Sequence, residues 1–455
     1  MIRLLFALLV FGCGCLGSSG SVATKLFDPG FLEGDCNYHS ITAATDGMIY
    51  FSVSTHQLKS SVRIFRFNPK DESIAQVGDL GEILDTDVNA ETPHGKIHTG
   101  LIEHKGYLYF ATHTSSYDGN LPNMTPDDGR TPYPGGHFVR YHLKSGTFEE
   151  LAQLQLPNEG IITMGLDKTS DTLYGMTWPT GLLISYNLEE KLLHNWGATQ
   201  NRGEWGHLGS EWNFICRKLG IDEQGNLYGS TDTGRVWNLD SGTQRPVNYL
   251  EGINVNQVIP VQEENFTIPP EAHFFWRGWR TILWNSNTDS FWGLHGGSSQ
   301  LFEFKPSTGT MRSVRSFRPE TIAQDTQRNP FRTQLGFMLG PDNTLIYLGH
   351  APGQSAEGRI DLKSSVHLLT YQIDSDTFRD HGPLTAPNGR RIFFTESVEM
   401  GADGHLYTVA WVETLDSERE KKIRAARDVA GPAETDEVVY EIQLVQLPDW
   451  QKLIK

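Results

Sequence analysis

Seven copies of one pattern constrain this chain more than any other feature. In each, a turn with Gly, Asp or Asn leads into a Leu/Ile–aromatic pair. A second strand then closes on an apolar-x-x-aromatic motif. The first copy reads Gly47-Met48-Ile49-Tyr50, then Ile64-Phe65-Arg66-Phe67. The second reads Gly106-Tyr107-Leu108-Tyr109, then Phe138-Val139-Arg140-Tyr141. The seventh reads Gly404-His405-Leu406-Tyr407, then Val439-Tyr440-Glu441-Ile442. The marker aromatics fall at 50, 109, 174, 228, 292, 347 and 407, with gaps of 59, 65, 54, 64, 55 and 60. Each unit alternates apolar and polar residues over short runs and lacks a helical period. Repetition on this scale predicts an all-β fold, a seven-bladed β-propeller of four-stranded sheets around a channel. A pair of β-sandwiches would not need such regular spacing.

The seventh copy ends near Pro448, too early for a fourth strand. The segment Val22 to Phe27 is expected to complete that blade and so close the ring, because an open sheet edge invites unwanted pairing. Residues 21–455 then form one propeller domain. Two insertions join the second and third strands of their blades. Thr114–Gly136 is rich in Pro, Gly and Asp and reads as irregular. Glu413–Glu437 holds a charged stretch, Asp416 to Val429, that reads as a short exposed helix.

Residues 1–20 read as an export signal or a lipoprotein signal. Arg3 precedes an apolar run, Leu4 to Phe11, too short to span a bilayer, and Val10-Phe11-Gly12-Cys13 is an imperfect lipidation site. The expected protein is a secreted, periplasmic or lipid-anchored monomer with no transmembrane span. After export only Cys36 and Cys216 surely remain, and they could pair. A net charge of -17 argues against nucleic acid as a partner, since phosphate binding needs a basic field.

Strands A to D of a blade run outward from the channel and alternate in direction. The start of A, the end of B and the start of C therefore share one face of the disc. In blade two these places hold His98, His113 and His137. Elsewhere they hold Trp178, Arg217, Arg280, His295, Arg332, His350, Glu396 and Trp411. Indoles offer flat faces to sugar rings, Arg binds carboxylate or sulfate through a planar fork, and His exchanges protons near neutral pH. The combination suits β-elimination on a uronate polymer, so an acidic polysaccharide is the expected partner. His113 and His137 are the catalytic candidates, and Arg217, Trp178 and His98 the substrate-binding ones. The chemistry requires no cofactor. A structural metal, zinc or calcium, is compatible, with His295 and His350 as candidate ligands.

The blade-two pattern, Ala111-Thr112-His113 followed by Gly135-Gly136-His137-Phe138-Val139-Arg140-Tyr141, resembles the seven-bladed propeller polysaccharide lyases, the ulvan lyases in particular. That resemblance implies a histidine pair at His113 and His137, an arginine at Arg217 that neutralises the uronate, and a structural zinc in some members. It also implies a tyrosine near the blade-three turn, where this chain instead has Thr177-Trp178-Pro179. Tyr117, Tyr133 or the second histidine are the substitutes. The competing readings are a non-catalytic propeller that binds glycans or proteins at the cell surface, and a metal-dependent propeller hydrolase or lactonase.

Overall fold

A computed structural model describes residues 20–115, 127–200, 204, 215–239, 247–258, 277–319, 333–351, 364–429, 431 and 439–454. The expected signal, Tyr117 and Arg332 lie outside them. Seven sheets whose consecutive strands pair antiparallel follow one another along the chain, a seven-bladed β-propeller. Blade two, for example, is built from Ile102–His104, Tyr107–Ala111, His137–His142 and Thr147–Gln153, paired in that order. The D strands are the most exposed and the B strands are almost wholly buried, as in Ser73–Asp79 against Ile49–Val53 of blade one. Apolar clusters fill the spaces between neighbouring blades. One runs from Ile162 and Trp178 through Trp237 to Phe302, uniting blades three, four and five.

The repeat has a local physical cause. Each marker aromatic sits on strand B with its ring in the core, and several tie the preceding turn. Tyr50 donates to Asp46 Oδ2 (2.9 Å) and Tyr407 to Asp403 Oδ2 (2.6 Å). Trp292 donates through Nε1 to Thr288 (3.0 Å). The glycine between acid and aromatic, Gly47 or Gly404, lies at φ near +80°, a conformation that disfavours a Cβ. Thus turn chemistry, polar tie and buried ring recur as one unit.

A second recurring device is not visible in the sequence. The C–D pairing slips by a β-bulge in blades one to six. The bulge brings together residues thirteen apart across the two strands. His137 meets Glu150, Gln300 meets Ser313, and His367 meets Asp380.

The ring closes as expected, with one refinement. Lys25–Phe27 pairs antiparallel with Tyr440–Leu447 and forms the outer strand of blade seven. Val22–Ala23 instead pairs parallel with the outer strand of blade six, so the N-terminal segment stitches two blades. Phe27 packs on Phe67 of blade one, with ring centroids 4.6 Å apart. Cys36 and Cys216, which could have paired, are both buried and free. The charged stretch of blade seven forms a helix, Ser417–Ala426, capped by Asp416. It is not wholly exposed, because Ile423 is buried and Arg419 binds Asp28 and Glu441.

Deleting residues 20–27 should expose the edge of Tyr440–Leu447 and forfeit burial of Val22, ~2 kcal/mol on its own. A lower melting midpoint with concentration-dependent aggregation is expected in thermal unfolding and light scattering. An unchanged midpoint would contradict this account of closure.

Candidate functional site

Blade two carries a radial row of imidazoles on one face of the disc. Nearest the channel, His98 donates from Nδ1 to the carbonyl of Ile162 (2.9 Å), which fixes the protonated nitrogen. Tyr38 stacks on it at 3.9 Å. His113 follows, 5.9 Å from His98 by ring centroid and 5.1 Å from the indole of Trp178. It is fully buried, so this catalytic candidate does not meet solvent. The cause is local. The isolated pairing of Lys96 with His113 and the close approach of Gly160 seal the ring between blades two and three.

Trp178 and Arg217 come together as the face argument requires, but around a protein carboxylate. Glu204 accepts from Trp178 Nε1 (2.6 Å) and pairs with Arg217, Nη1 to Oε1 (2.6 Å) and Nη2 to Oε2 (2.8 Å). The amide of Ile215 also donates to Glu204. The guanidinium expected to meet a uronate thus meets Glu204, and the indole expected to stack on sugar is in the core. Arg280 forms a fully buried ion pair with Glu396, joining blades five and seven. Trp411 packs among Phe393, Phe394 and Tyr440. His295 is held by Ser298 (2.8 Å) and Asn256 (3.3 Å).

Further out on blade two lies a second cluster. His137 Nδ1 is 3.1 Å from Glu150 Oε1, a contact made by the bulge in strand D. Its Nε2 is buried and has no hydrogen-bond partner among the described residues. His94 meets its ring edge-on at 4.8 Å. His94 Nδ1 is 3.0 Å from the Tyr133 hydroxyl, which also contacts Thr112 Oγ1 (3.1 Å). Thr112 Oγ1 accepts from the His137 amide (2.9 Å) and closes the circuit. Tyr133 was legible as a substitute tyrosine. His94 and Glu150 were missed, because neither occupies a position generated by the seven-fold pattern.

Burial sets the protonation states. It depresses His39, His94, His98 and His113 well below the ordinary imidazole value, and nearby cations such as Lys218, Arg217 or Lys96 add to the effect at three of them. Burial also lowers His137, while Glu150 pulls it back up. Burial also brings Lys96, beside His113, down to about 7 and, elsewhere in the fold, Glu399 up to about 7. His94, His98, His113 and His137 are therefore neutral at pH 7, the form that accepts a proton.

No family model matches the sequence, and no curated protein does. Solved structures do match. A GH74 enzyme from Niastella koreensis aligns at 10% identity with a TM-score of 0.52, covering 84% of this chain and 52% of that one. A protein from Bacteroides fragilis assigned as a 6-phosphogluconolactonase aligns at 11% identity and TM-score 0.49, over 83% of this chain and 93% of that one. The extracellular domain of a protein from B. thetaiotaomicron assigned as a hybrid two-component system aligns at 13% and 0.47. The chain covers 38% of that domain's length and 83% of its own. Among the described residues no helix is long and apolar enough to cross a membrane.

The buried imidazoles predict acid sensitivity. Their folded values lie below the unfolded value near 6.5, so the unfolded state binds more protons as pH falls. Stability should be full above about 6.5 and decline below it, and His295, lowered to about 3, extends the window downward. Chemical denaturation at a series of pH values checks this, and stability that rises between pH 6.5 and 4.5 would contradict it. At this degree of sequence difference the structural likenesses establish one thing, the β-propeller fold.

Proposed function

We infer that the protein is an exported lyase acting on a uronate-containing polysaccharide, with its acid–base chemistry on blade two. The carrying observation is His137. Its Nδ1 is oriented by Glu150, its Nε2 has no partner among the described residues, and the His94–Tyr133 pair packs against it. A carboxylate on one nitrogen fixes a neutral imidazole with the other nitrogen as base. In β-elimination that nitrogen takes the proton α to the uronate carboxylate. The bond to the β-oxygen breaks, a carbon–carbon double bond forms, and a donor protonates the leaving oxygen. Tyr133, whose burial keeps the phenol protonated, is the candidate donor through His94. His113 holds a positioning place beside Trp178. Export rests on the apolar run before Cys13.

Two observations favour the second reading, a propeller that binds glycans or proteins without turnover. Blade six repeats the His–carboxylate pair as His367 and Asp380, 2.9 Å apart, so the pairing itself belongs to the fold. The commitment of Arg217 to Glu204 points the same way. What blade two adds is the second imidazole and the phenol.

Absorbance of the unsaturated product on ulvan, pectin and glycosaminoglycans separates the two. Turnover is expected on at least one polymer, and His137→Ala should lower kcat by about 10²–10⁴ with an unchanged melting midpoint. His367→Ala should leave kcat within a few-fold. Saturable binding with no product on any uronate polymer would sink the lyase and support the binding module.

The pH profile gives an independent check. The base must be neutral, and His137 titrates below its ordinary value, so the acid limb of kcat/KM should fall below pH 6.5. Glu150 raises that value, so Glu150→Gln should move the limb to still lower pH. A limb that moves up would contradict the assignment.

A further inference from the structure

A cluster outside the blade-two row has the chemistry of a metal centre. The loop that follows the ring-closing strand carries Asp35 and Cys36. Cys36 pairs with Ser54 at the end of strand B of blade one, its amide donating to the Ser54 carbonyl at 3.2 Å and its carbonyl accepting at 2.8 Å. Two residues beyond Ser54 the chain turns His56 back over the loop. Asp35 Oδ1 then lies 2.9 Å from His56 Nδ1, and Cys36 Sγ lies 3.8 Å from the same nitrogen. All three donor atoms fall within 4.8 Å of one another, and Asp35 and Cys36 are buried.

The spacing separates a metal site from an ordinary hydrogen bond. One imidazole nitrogen presents a single proton or a single lone pair. Here two anionic-capable ligands converge on it. A tetrahedral cation with bonds of about 2.0–2.3 Å to O, N and S needs those ligands roughly 3.3–3.6 Å apart. The two measured separations straddle that range, and small shifts would accommodate the ion.

The surroundings hold the ligands in place. Asp35 Oδ2 accepts from the His56 amide (3.1 Å) and from Gln57 Nε2 (3.2 Å). On its far side His56 Nε2 is 3.5 Å from the Tyr38 hydroxyl. Partners of this kind fix ligand orientation in metal sites. Gln57 also exchanges two hydrogen bonds with the backbone of Val429, and Arg427 donates to the carbonyls of Leu32 and Gly34. The blade-seven insertion, the ring-closing loop and blade one therefore meet at this point. Lys96 opposes the site, since Cys36 and Asp35 act on its ammonium. Its Nζ, however, donates to the carbonyl of Ser115 (3.0 Å).

We propose that Asp35, Cys36 and His56 bind one zinc-class divalent cation that fastens the ring-closing loop to blade one. One sulfur, one imidazole and one carboxylate suit zinc and exclude calcium, which takes oxygen ligands. Three protein ligands leave a fourth position for water. The role is mechanical, because metal bound only by the folded chain adds its binding energy to folding.

Elemental analysis of the full chain, purified in zinc-containing buffer and gel-filtered, reads the site directly. About one zinc per chain is expected, with stoichiometry lost in Cys36→Ser and His56→Ala and kept in Cys216→Ser. Cobalt replacement should give the sulfur-to-metal charge-transfer band and the visible bands of tetrahedral coordination in wild type and in Cys216→Ser, not in Cys36→Ser. A chelator should lower the wild-type melting midpoint. Should the variants fail to fold, the wild-type zinc content and cobalt spectrum still decide. Less than a tenth of an equivalent of zinc, or a cobalt spectrum without the sulfur band, would overturn the proposal. Metal content does not depend on polysaccharide turnover, so this result is independent of the lyase assay.

Discussion

Pairing of Lys25–Phe27 with the last long strand is the interaction on which the rest depends. A sheet repeated seven times has nothing to fix its curvature unless first and last copies join. Once they join, every A strand is forced to the centre and every D strand to the rim. The exposure of the D strands and the near-complete burial of the B strands follow from that geometry. So does the proximity of residues distant in sequence, such as Arg280 and Glu396, whose ion pair spans from blade five to blade seven. A buried pair of this kind repays its desolvation only when the surrounding frame holds both partners.

The fold was largely legible because its signal is physical and local. A turn acid tied to a strand-B ring leaves the same trace each time it is built, as Asp46 with Tyr50 and Asp403 with Tyr407 do. The bulges left no trace. They depend on the register between strands C and D, which composition does not encode. Their consequence is large, since the bulge at blade two carries Glu150 to His137.

The site was half legible. Alternation of strand direction correctly gathered His98 and His113, and Trp178 and Arg217, into two adjoining groups. It could not report what else would arrive. Glu204 occupies no position of the repeat, yet it takes both the indole and the guanidinium. His94 likewise precedes strand A by more residues than the pattern covers. A repeat predicts positions, whereas contacts at those positions belong to the connecting loops. For the same reason the Asp35, Cys36 and His56 cluster escaped notice, since it joins a closing loop to one blade and uses no seven-fold position.

Burial gives the site its character. Imidazoles shut into a low-dielectric face stay neutral, and a neutral imidazole has a nitrogen that can accept a proton. The central claim is that substrate meets the protein at His137. A crystal structure with a bound uronate oligosaccharide tests it most directly. The account predicts a sugar carbon bearing the acidic proton next to His137 Nε2, with the Glu150 contact preserved. An oligosaccharide seated on another blade, with His137 still sealed from it, would contradict the account.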